Sequence, residues 1–186
     1  MPSSPNPTAN YANKLILAEP DIYILYWNYT DQDILFEVHA KTKGWIGFGL
    51  SPNGDMLNSD IVISWVNLNG STHFSDRNTQ TSRTLYIDKQ QNWFPLLVTL
   101  RDGFTVAKFT RKIKLCDSTT SDDMNVESGT PFVIYAWGET IVEKDAFYHG
   151  TLNRGSKTVP LITTLNTKVN VNMDKVTITD FRVKVK

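Results

Sequence analysis

The 186 residues contain one cysteine, Cys116, so the chain has no internal disulfide and cysteine usage alone does not indicate a compartment. Excess charge is missing as well, because 19 Lys and Arg residues balance 19 Asp and Glu residues. Without a basic patch, nucleic acid is excluded as an expected partner. No apolar run approaches the roughly 20 residues that a membrane-spanning helix needs, so no transmembrane segment is predicted.

The start of the chain lacks the features of a targeting signal. MPSSPNPTANYANKL is polar and rich in proline, and no basic region precedes an apolar stretch, as a secretory signal requires. We predict a flexible lead-in over residues 1–20 and a single domain over residues 21–186, a length that suits one hydrophobic core.

Familiar catalytic motifs are missing. The chain has no G-x-S-x-G, H-E-x-x-H or C-x-x-C, and no nucleophile lies beside an orienting base. Of only three histidines, His39 and His73 occupy polar positions and are expected at the surface. His149 lies between an aromatic pair and a glycine, so it is either a structural residue or the edge of an apolar pocket. We expect no enzyme activity from this chain by itself.

Helical periodicity is also lacking, whereas strand signals recur every ten to fifteen residues. The segment DILFEVHAKT alternates clearly: one face carries Ile34, Phe36 and Val38, and the other carries Leu35, Glu37 and His39. Only DKQQNWFPLL is ambiguous. Turn clusters of Asn, Asp, Ser and Gly separate the segments. The pattern predicts an all-β fold, a two-sheet β-sandwich of about nine to eleven strands.

The densest segment is GWIGFGLSPNGDMLNSDIVISW, residues 44–65. Its glycines are typical of a strand that allows close backbone approach, including approach by a flat ligand. The turn S-P-N-G then leads to Met56, a large apolar side chain in a polar loop. Met56 either fills an irregular gap, as methionine often does, or supplies its sulfur as a ligand.

Several segments in a fixed order carry a family resemblance: GWIGFGLSPNGDMLNSDIVISWV, FSDRNTQ, DKQQNWFPLLV, FTRKIKLCD, FVIYAWGE and YHGTLNRGSKTVPLI. From about residue 21 to 165 the chain resembles the DOMON domain, the amino-terminal domain of dopamine β-monooxygenase. The resemblance implies an immunoglobulin-like β-sandwich. It also implies three possible roles: a b-type haem module, a sugar-binding or interaction module, or a regulatory module beside a copper-containing catalytic core.

The haem-binding members of the family use one methionine and one histidine, which correspond here to Met56 and His149. The correspondence of His149 rests on the H-x-x-x-x-R-G pattern that ends at Gly155. Because no C-x-x-C-H is present, the implied haem b is non-covalent. Aromatic residues are available to line the pocket, although core packing explains them equally well: Trp45, Phe48, Trp65, Tyr135 and Trp137.

The resemblance also implies a small cation, such as calcium, held by oxygen ligands. The corresponding positions are the side chains of Asp60 and Asn92 and the main-chain carbonyls of Ile61 and Arg77. Asn92 departs from the family, which has an acid there, so one negative charge is lost. Asp60 is alternatively an ordinary turn residue at the edge of a strand, and the site is alternatively structural or empty.

The remaining expectations concern the cellular context. Sequons at Asn28 and Asn69 are candidate glycosylation sites, and with the resemblance they favour an extracellular or secretory-lumen location. The family position of Cys116 pairs with a distant cysteine, so the chain is either part of a longer protein or lacks that bond. Three histidines are too few for a copper core. A redox protein or domain, or a carbohydrate, is the expected partner.

Overall fold

A computed structural model describes residues 3–114, 124–126, 131–139 and 148–163 of the chain. Within these ranges it has eleven strands and no helix. The strands are β1 (Asn13–Ala18), β2 (Tyr23–Tyr29), β3 (Asp33–Ala40), β4 (Ile46–Ser51), β5 (Asp60–Val66), β6 (Thr72–Asn78), β7 (Tyr86–Ile87), β8 (Trp93–Arg101), β9 (Phe104–Lys112), β10 (Phe132–Trp137) and β11 (Arg154–Thr158).

The strands form two antiparallel sheets, of order β1-β2-β3-β9-β8 and β11-β10-β4-β5-β6-β7. The prediction of an all-β sandwich is confirmed, and the strand number lies at the upper end of the predicted range. None of the described segments is a helix long and apolar enough to cross a membrane.

The main hydrophobic core lies between the sheets. Side chains alternate along each strand, so Phe36 of β3 and Phe48 of β4 both face inward, with ring centroids 5.1 Å apart. Phe109 of β9 completes this aromatic centre, at 5.8 Å from Phe36 and 5.6 Å from Phe48. The same alternation sends every second side chain of each strand to the outside of the sandwich.

Two segments clarify the sequence-based assignment. Residues 13–18, inside the predicted lead-in, form β1 and pair with β2 from Asn13↔Trp27 onward. The second half of the ambiguous segment, from Trp93 onward, begins β8. This edge strand shifts register between Pro95 and Leu97, and proline is tolerated at such an edge. The predicted strand KVTITDFRVKV and Cys116 lie outside the described residues.

Candidate functional site

The loop that carries Met56 connects β4 to β5 at one end of the six-stranded sheet. Its tight path uses left-handed backbone at Gly54 (φ 82°) and Asn58 (φ 53°). Gly54 also packs closely on β10 and β11, because a Cβ there would lie 2.9 Å from the Phe132 ring and 3.2 Å from the Ser156 hydroxyl. The loop is therefore seated against the sheet, and Met56 is half-buried.

Met56 packs on a second hydrophobic cluster, on the outward face of the six-stranded sheet. This outer cluster consists of four side chains that are only 2–5% exposed, Trp45, Ile61, Ile63 and Trp65. Leu85, Ile134 and Ala136 pack around it together with Met56. Outward side chains of a sandwich are usually polar, so this buried apolar outward face departs from the usual pattern.

The glycines of β4 lie beneath the outer cluster, and protein atoms fill the space above them. A Cβ on Gly47 would meet the Ile63 and Trp45 side chains at 3.1 and 3.4 Å, and one on Gly49 would meet the Asp60 carbonyl oxygen at 2.5 Å and the Ile61 side chain at 2.9 Å. The five aromatic residues predicted to line a haem pocket belong to two different clusters. Trp45 and Trp65 belong to the outer cluster, whereas Phe48 and Trp137 are in the inner core and Tyr135 packs against it.

His149 lies in the connection between β10 and β11 and is half-buried. Its Nδ1 is 2.6 Å from the Gly150 carbonyl oxygen, so Nδ1 carries a hydrogen, and in the neutral ring Nε2 is the nitrogen with the free lone pair. This connection begins near Trp137, at the opposite end of the β4–β10 pair from the Met56 loop. Residues 140–147, between the two ends of the connection, lie outside the described part of the chain.

The four predicted cation ligands lie near one another, at the end of β5, β6 and β8. Ile61 is opposite Arg77 in the β5–β6 register, and the Asn92 amide donates to the neighbouring Asp76 carboxylate at 2.7 Å. The Asp60 carboxylate, however, points into the sandwich and is bound by protein. Arg111 Nη1 donates to it at 2.6 Å and Trp93 Nε1 at 2.5 Å, and the amide of Met124 donates at 3.2 Å.

Asp76 is a buried acid that the sequence analysis did not select. It has no exposed surface, its Oδ2 accepts from the amides of Asn92 and Trp93, and its Oδ1 has no hydrogen-bond partner. Burial, with the charge of Asp60 as the next cause, raises the pKa of Asp76 to about 8. The buried Oδ1 of Asn78, on the same face of β6, also has no partner.

We call the buried polar residues Asp60, Asp76, Asn78 and Arg111 the Asp76 cluster. Within the described ranges, no group of three or more His, Cys, Asp or Glu side chains is arranged to hold a metal ion. Any cation here would therefore use carboxylate, amide and main-chain oxygens together. A sequence signal for Asp76 was available in the motif S-D-R-N, which places two oxygen-bearing side chains at period two on β6.

A second polar cluster lies on the outward face of the five-stranded sheet. Both Glu37 and His39 have no exposed surface, so the prediction that His39 is a surface residue is wrong. Residues near the chain start cover them. Ser4 Oγ is 2.8 Å from His39 Nδ1, His39 Nε2 is 2.7 Å from Glu37, and Tyr11 donates to Glu37 at 2.8 Å.

Thr8 completes this Glu37 cluster, which consists of Ser4, Thr8, Tyr11, Glu37 and His39. The amide of Thr8 donates to Glu37 Oε1 at 2.8 Å and its hydroxyl to Oε2. Burial raises the pKa of Glu37, but hydrogen bonds from His39, Thr8 and Tyr11 outweigh it, so the pKa lies below its usual value. The fold of residues 4–11 thus depends on this carboxylate.

The two sequons differ in accessibility. Asn28 is buried, and its side chain accepts from the Ala12 amide at 2.7 Å and donates to the Asn10 carbonyl at 2.8 Å. Asn69 is exposed in the turn between β5 and β6, where its Oδ1 accepts from the Ser71 amide and hydroxyl.

A family profile for the DOMON domain matches residues 20–138. The chain belongs to the DOMON family. Among similar curated proteins, human DBH-like monooxygenase protein 1 is 31% identical over 160 residues, which are 86% of this chain and 25% of that protein. MOXD1 homolog 2 of Drosophila melanogaster is 33% identical over 119 residues, 63% of this chain and 15% of that protein.

This DOMON domain therefore spans about a quarter or less of the length of these relatives. Among solved structures, the cytochrome domain of Myriococcum thermophilum cellobiose dehydrogenase has a TM-score of 0.57 at 11% identity and covers 77% of this chain and 78% of that one. The cytochrome b domain of pyranose dehydrogenase from Coprinopsis cinerea has a TM-score of 0.54 at 12% identity, covering 73% and 76%. These two likenesses show a shared fold.

Proposed function

We propose that this DOMON domain is a non-catalytic module of a larger extracellular or secretory-lumen oxidoreductase, and that it binds haem b through Met56 and His149. One observation carries the proposal: the Met56 thioether is seated on a buried apolar cluster on the outside of a sheet. The fold shared with two cytochrome domains supports it.

The donor chemistry of the two residues suits this cofactor, which would have to lie between two loops that start from opposite ends of the β4–β10 pair. Iron held by an imidazole and a thioether keeps no open position and serves in electron transfer. His149 orients its ring through the Nδ1–H bond to Gly150 and leaves Nε2 to ligate, an arrangement common among ligand histidines. The outer cluster supplies a dry surface, and the Trp45 and Ile63 side chains above Gly47 would have to move to admit a macrocycle.

The decisive experiment is reconstitution with hemin followed by absorbance spectroscopy. We expect a Soret band with sharp α and β bands on reduction, and Met56→Leu or His149→Ala should each abolish this low-spin signature. Met124→Leu and His73→Ala are matched controls, because His73 also lies beside the outer cluster, stacked on Trp65 at 3.7 Å. No spectrum in the wild type overturns the proposal, and loss in His73→Ala alone overturns the ligand assignment.

A second candidate function is a regulatory module of a copper-dependent monooxygenase, stabilised by a bound cation such as calcium. The relatives named DBH-like monooxygenases favour it, and so does the unpartnered Oδ1 of Asp76 beside Asp60. We expect calcium to raise the Tm of the wild type and to leave that of Asp76→Asn unchanged. An unchanged wild-type Tm at millimolar calcium contradicts this candidate.

Two further parts of the proposal concern partners and modification. A redox protein or domain is the proposed partner, and a glycan array tests the alternative of a carbohydrate ligand.

Of the two sequons, we propose Asn69 as the glycosylated one, because Asn28 is buried and its side-chain amide is hydrogen-bonded. Peptide mapping of secreted protein decides this, and a glycan on Asn28 contradicts it.

A further inference from the structure

The main chain of Met56 is held from both sides, although the residue lies in a loop. Its amide donates to Asp55 Oδ1 at 2.5 Å, and its carbonyl accepts from the hydroxyl of Thr79. Because both peptide groups are fixed, the position of the Met56 Cα and the direction of its Cα–Cβ bond are fixed with them, and packing on the outer cluster limits the rest of the side chain.

The Thr79 hydroxyl both donates and accepts a hydrogen bond. Thr79 follows directly after β6, has 3% of its surface exposed and donates to the Met56 carbonyl, while its oxygen accepts from the Ser59 amide at 3.1 Å. Its own amide donates to the Ser59 carbonyl at 3.0 Å. Thr79 therefore joins the Met56 loop to the rigid strand pair β5–β6, and neither alanine nor valine can reproduce the hydroxyl bonds.

Asp55 holds the other side of Met56. Its carbonyl accepts from the hydroxyls of Ser51 at 2.5 Å and Ser59 at 2.8 Å. Its carboxylate is bound by Arg83 from the β6–β7 connection, with Nη2 at 2.8 Å and Nε at 3.3 Å. The hydrogen bond from Arg83 is the main cause that lowers the pKa of Asp55. The guanidinium thus keeps the carboxylate oriented toward the Met56 amide.

We infer that Thr79 and Asp55 are positioning residues that hold the Met56 thioether in a ligating orientation on the outer cluster. The inference rests on the proposed function, because the ligand role of the Met56 sulfur is part of that proposal. It adds two residues whose hydrogen bonds reach the main chain of Met56 and anchor it to Ser59 and Arg83. Groups of this kind change metal affinity by about 10–100-fold when they are altered.

The first test is made without haem. Methionine methyl labelling gives four resonances for the four methionines, and Met56→Leu assigns one of them. We expect Thr79→Val and Asp55→Ala to move the Met56 methyl resonance toward the position of unstructured methionine. Thr79→Ser should restore it, and the Met124 resonance is the internal control for the fold. An unchanged Met56 resonance in both Thr79→Val and Asp55→Ala overturns the inference.

The second test is made with hemin and separates the two proposals. Thr79→Val should lose the low-spin bands and release haem about tenfold faster, with rescue by Thr79→Ser. The exposed substitution Arg83→Gln acts only through Asp55, so it should give a smaller change in the same direction while leaving the Tm nearly unchanged. If wild-type protein binds no haem, the proposed function fails, while the methyl resonances still decide whether Thr79 and Asp55 position Met56.

Discussion

Glu37 and Asp76 are both buried carboxylates, but they lie in opposite sheets and have opposite titration behaviour. Glu37 accepts four hydrogen bonds, from the Thr8 amide and hydroxyl, Tyr11 and His39, and its pKa is lowered. Asp76 accepts two main-chain amides, keeps one oxygen without a partner and lies near Asp60, and its pKa is raised to about 8. Both carboxylates are thus buried, and the hydrogen-bond donors around each one decide whether its pKa is lowered or raised.

The comparison separates a structural site from a candidate binding site. The Glu37 cluster satisfies its carboxylate with groups of the chain itself, and it fixes residues 4–11 over the five-stranded sheet. The Asp76 cluster leaves oxygens unsatisfied inside the fold, which is costly unless a proton or a cation supplies the missing partner. Four predictions follow from this contrast, in decreasing order of the expected change in unfolding free energy per substitution or, for the pH series, per pH unit.

Replacement of Arg111, the positively charged residue of the Asp76 cluster, should cause the largest loss of stability. Arg111 is buried, bound to Asp60 and placed over the Trp93 ring at 4.5 Å. Arg111→Met leaves the Asp60 charge buried and unpaired, so we expect a loss of about 3–5 kcal/mol in the free energy of unfolding. Urea unfolding measures it. Arg101→Met, at an exposed position, is the control, and an equal loss there contradicts the explanation.

Conversion of Glu37 to glutamine should lower the free energy of unfolding by less than Arg111→Met does. Glu37→Gln presents donors toward Tyr11 and Thr8, so we expect a loss of about 2–3 kcal/mol and faster proteolysis near the chain start. In the wild type the lowered pKa means that this stability is present above the usual glutamate pKa and is lost as the pH falls through the lowered value. Unfolding measured at pH 7 with no loss in Glu37→Gln would contradict the role of the carboxylate.

The Asp76 cluster should respond to pH in the opposite direction. Between about pH 4 and pH 8, the unfolded Asp76 is ionised while the folded one keeps its proton. Stability therefore falls as the pH rises through that window. Asp76→Asn keeps the shape of the neutral acid, so its advantage over the wild type should grow by up to about 1.4 kcal/mol per pH unit.

The measurement for Asp76 is a series of denaturant titrations from pH 4 to pH 8. Asp102→Asn is the matched control, because Asp102 is exposed in the β8–β9 turn at φ 52°, a conformation that asparagine tolerates equally well. A difference between Asp76→Asn and wild type that does not change with pH shows that Asp76 is ionised in the fold.

The smallest effect belongs to the outer end of the Glu37 cluster. Ser4→Ala removes only the hydroxyl that contacts His39 Nδ1, which we expect to cost about 1 kcal/mol or less. Ser3→Ala, at an exposed neighbour, is the control. A loss as large as that of Glu37→Gln would place the main support of the N-terminal segment at Ser4 instead of at the carboxylate.

The sequence was sufficient for the fold class and for many strands because alternation is a local property. In DILFEVHAKT the two faces were separated correctly, since Phe36 and its neighbours at period two are in the core. His39 lies on the other face and was expected at the surface, but it is buried. The cover of that face comes from residues 4–11, more than 20 positions away in the chain, and period-two patterning carries no information about such a cover.

The candidate site was likewise predictable from the sequence only in part. By itself the sequence determined a β-sandwich, the loop that presents Met56 and the family to which the chain belongs, because strand periodicity, turn residues and ordered motifs are all local. Only the tertiary structure decided that Asp60 is satisfied by Arg111, that Asp76 keeps an unpartnered oxygen, and that Thr79 holds the Met56 carbonyl. These contacts depend on strand register and on segments that meet across 20 or more residues, so they exist only once the two sheets have packed together.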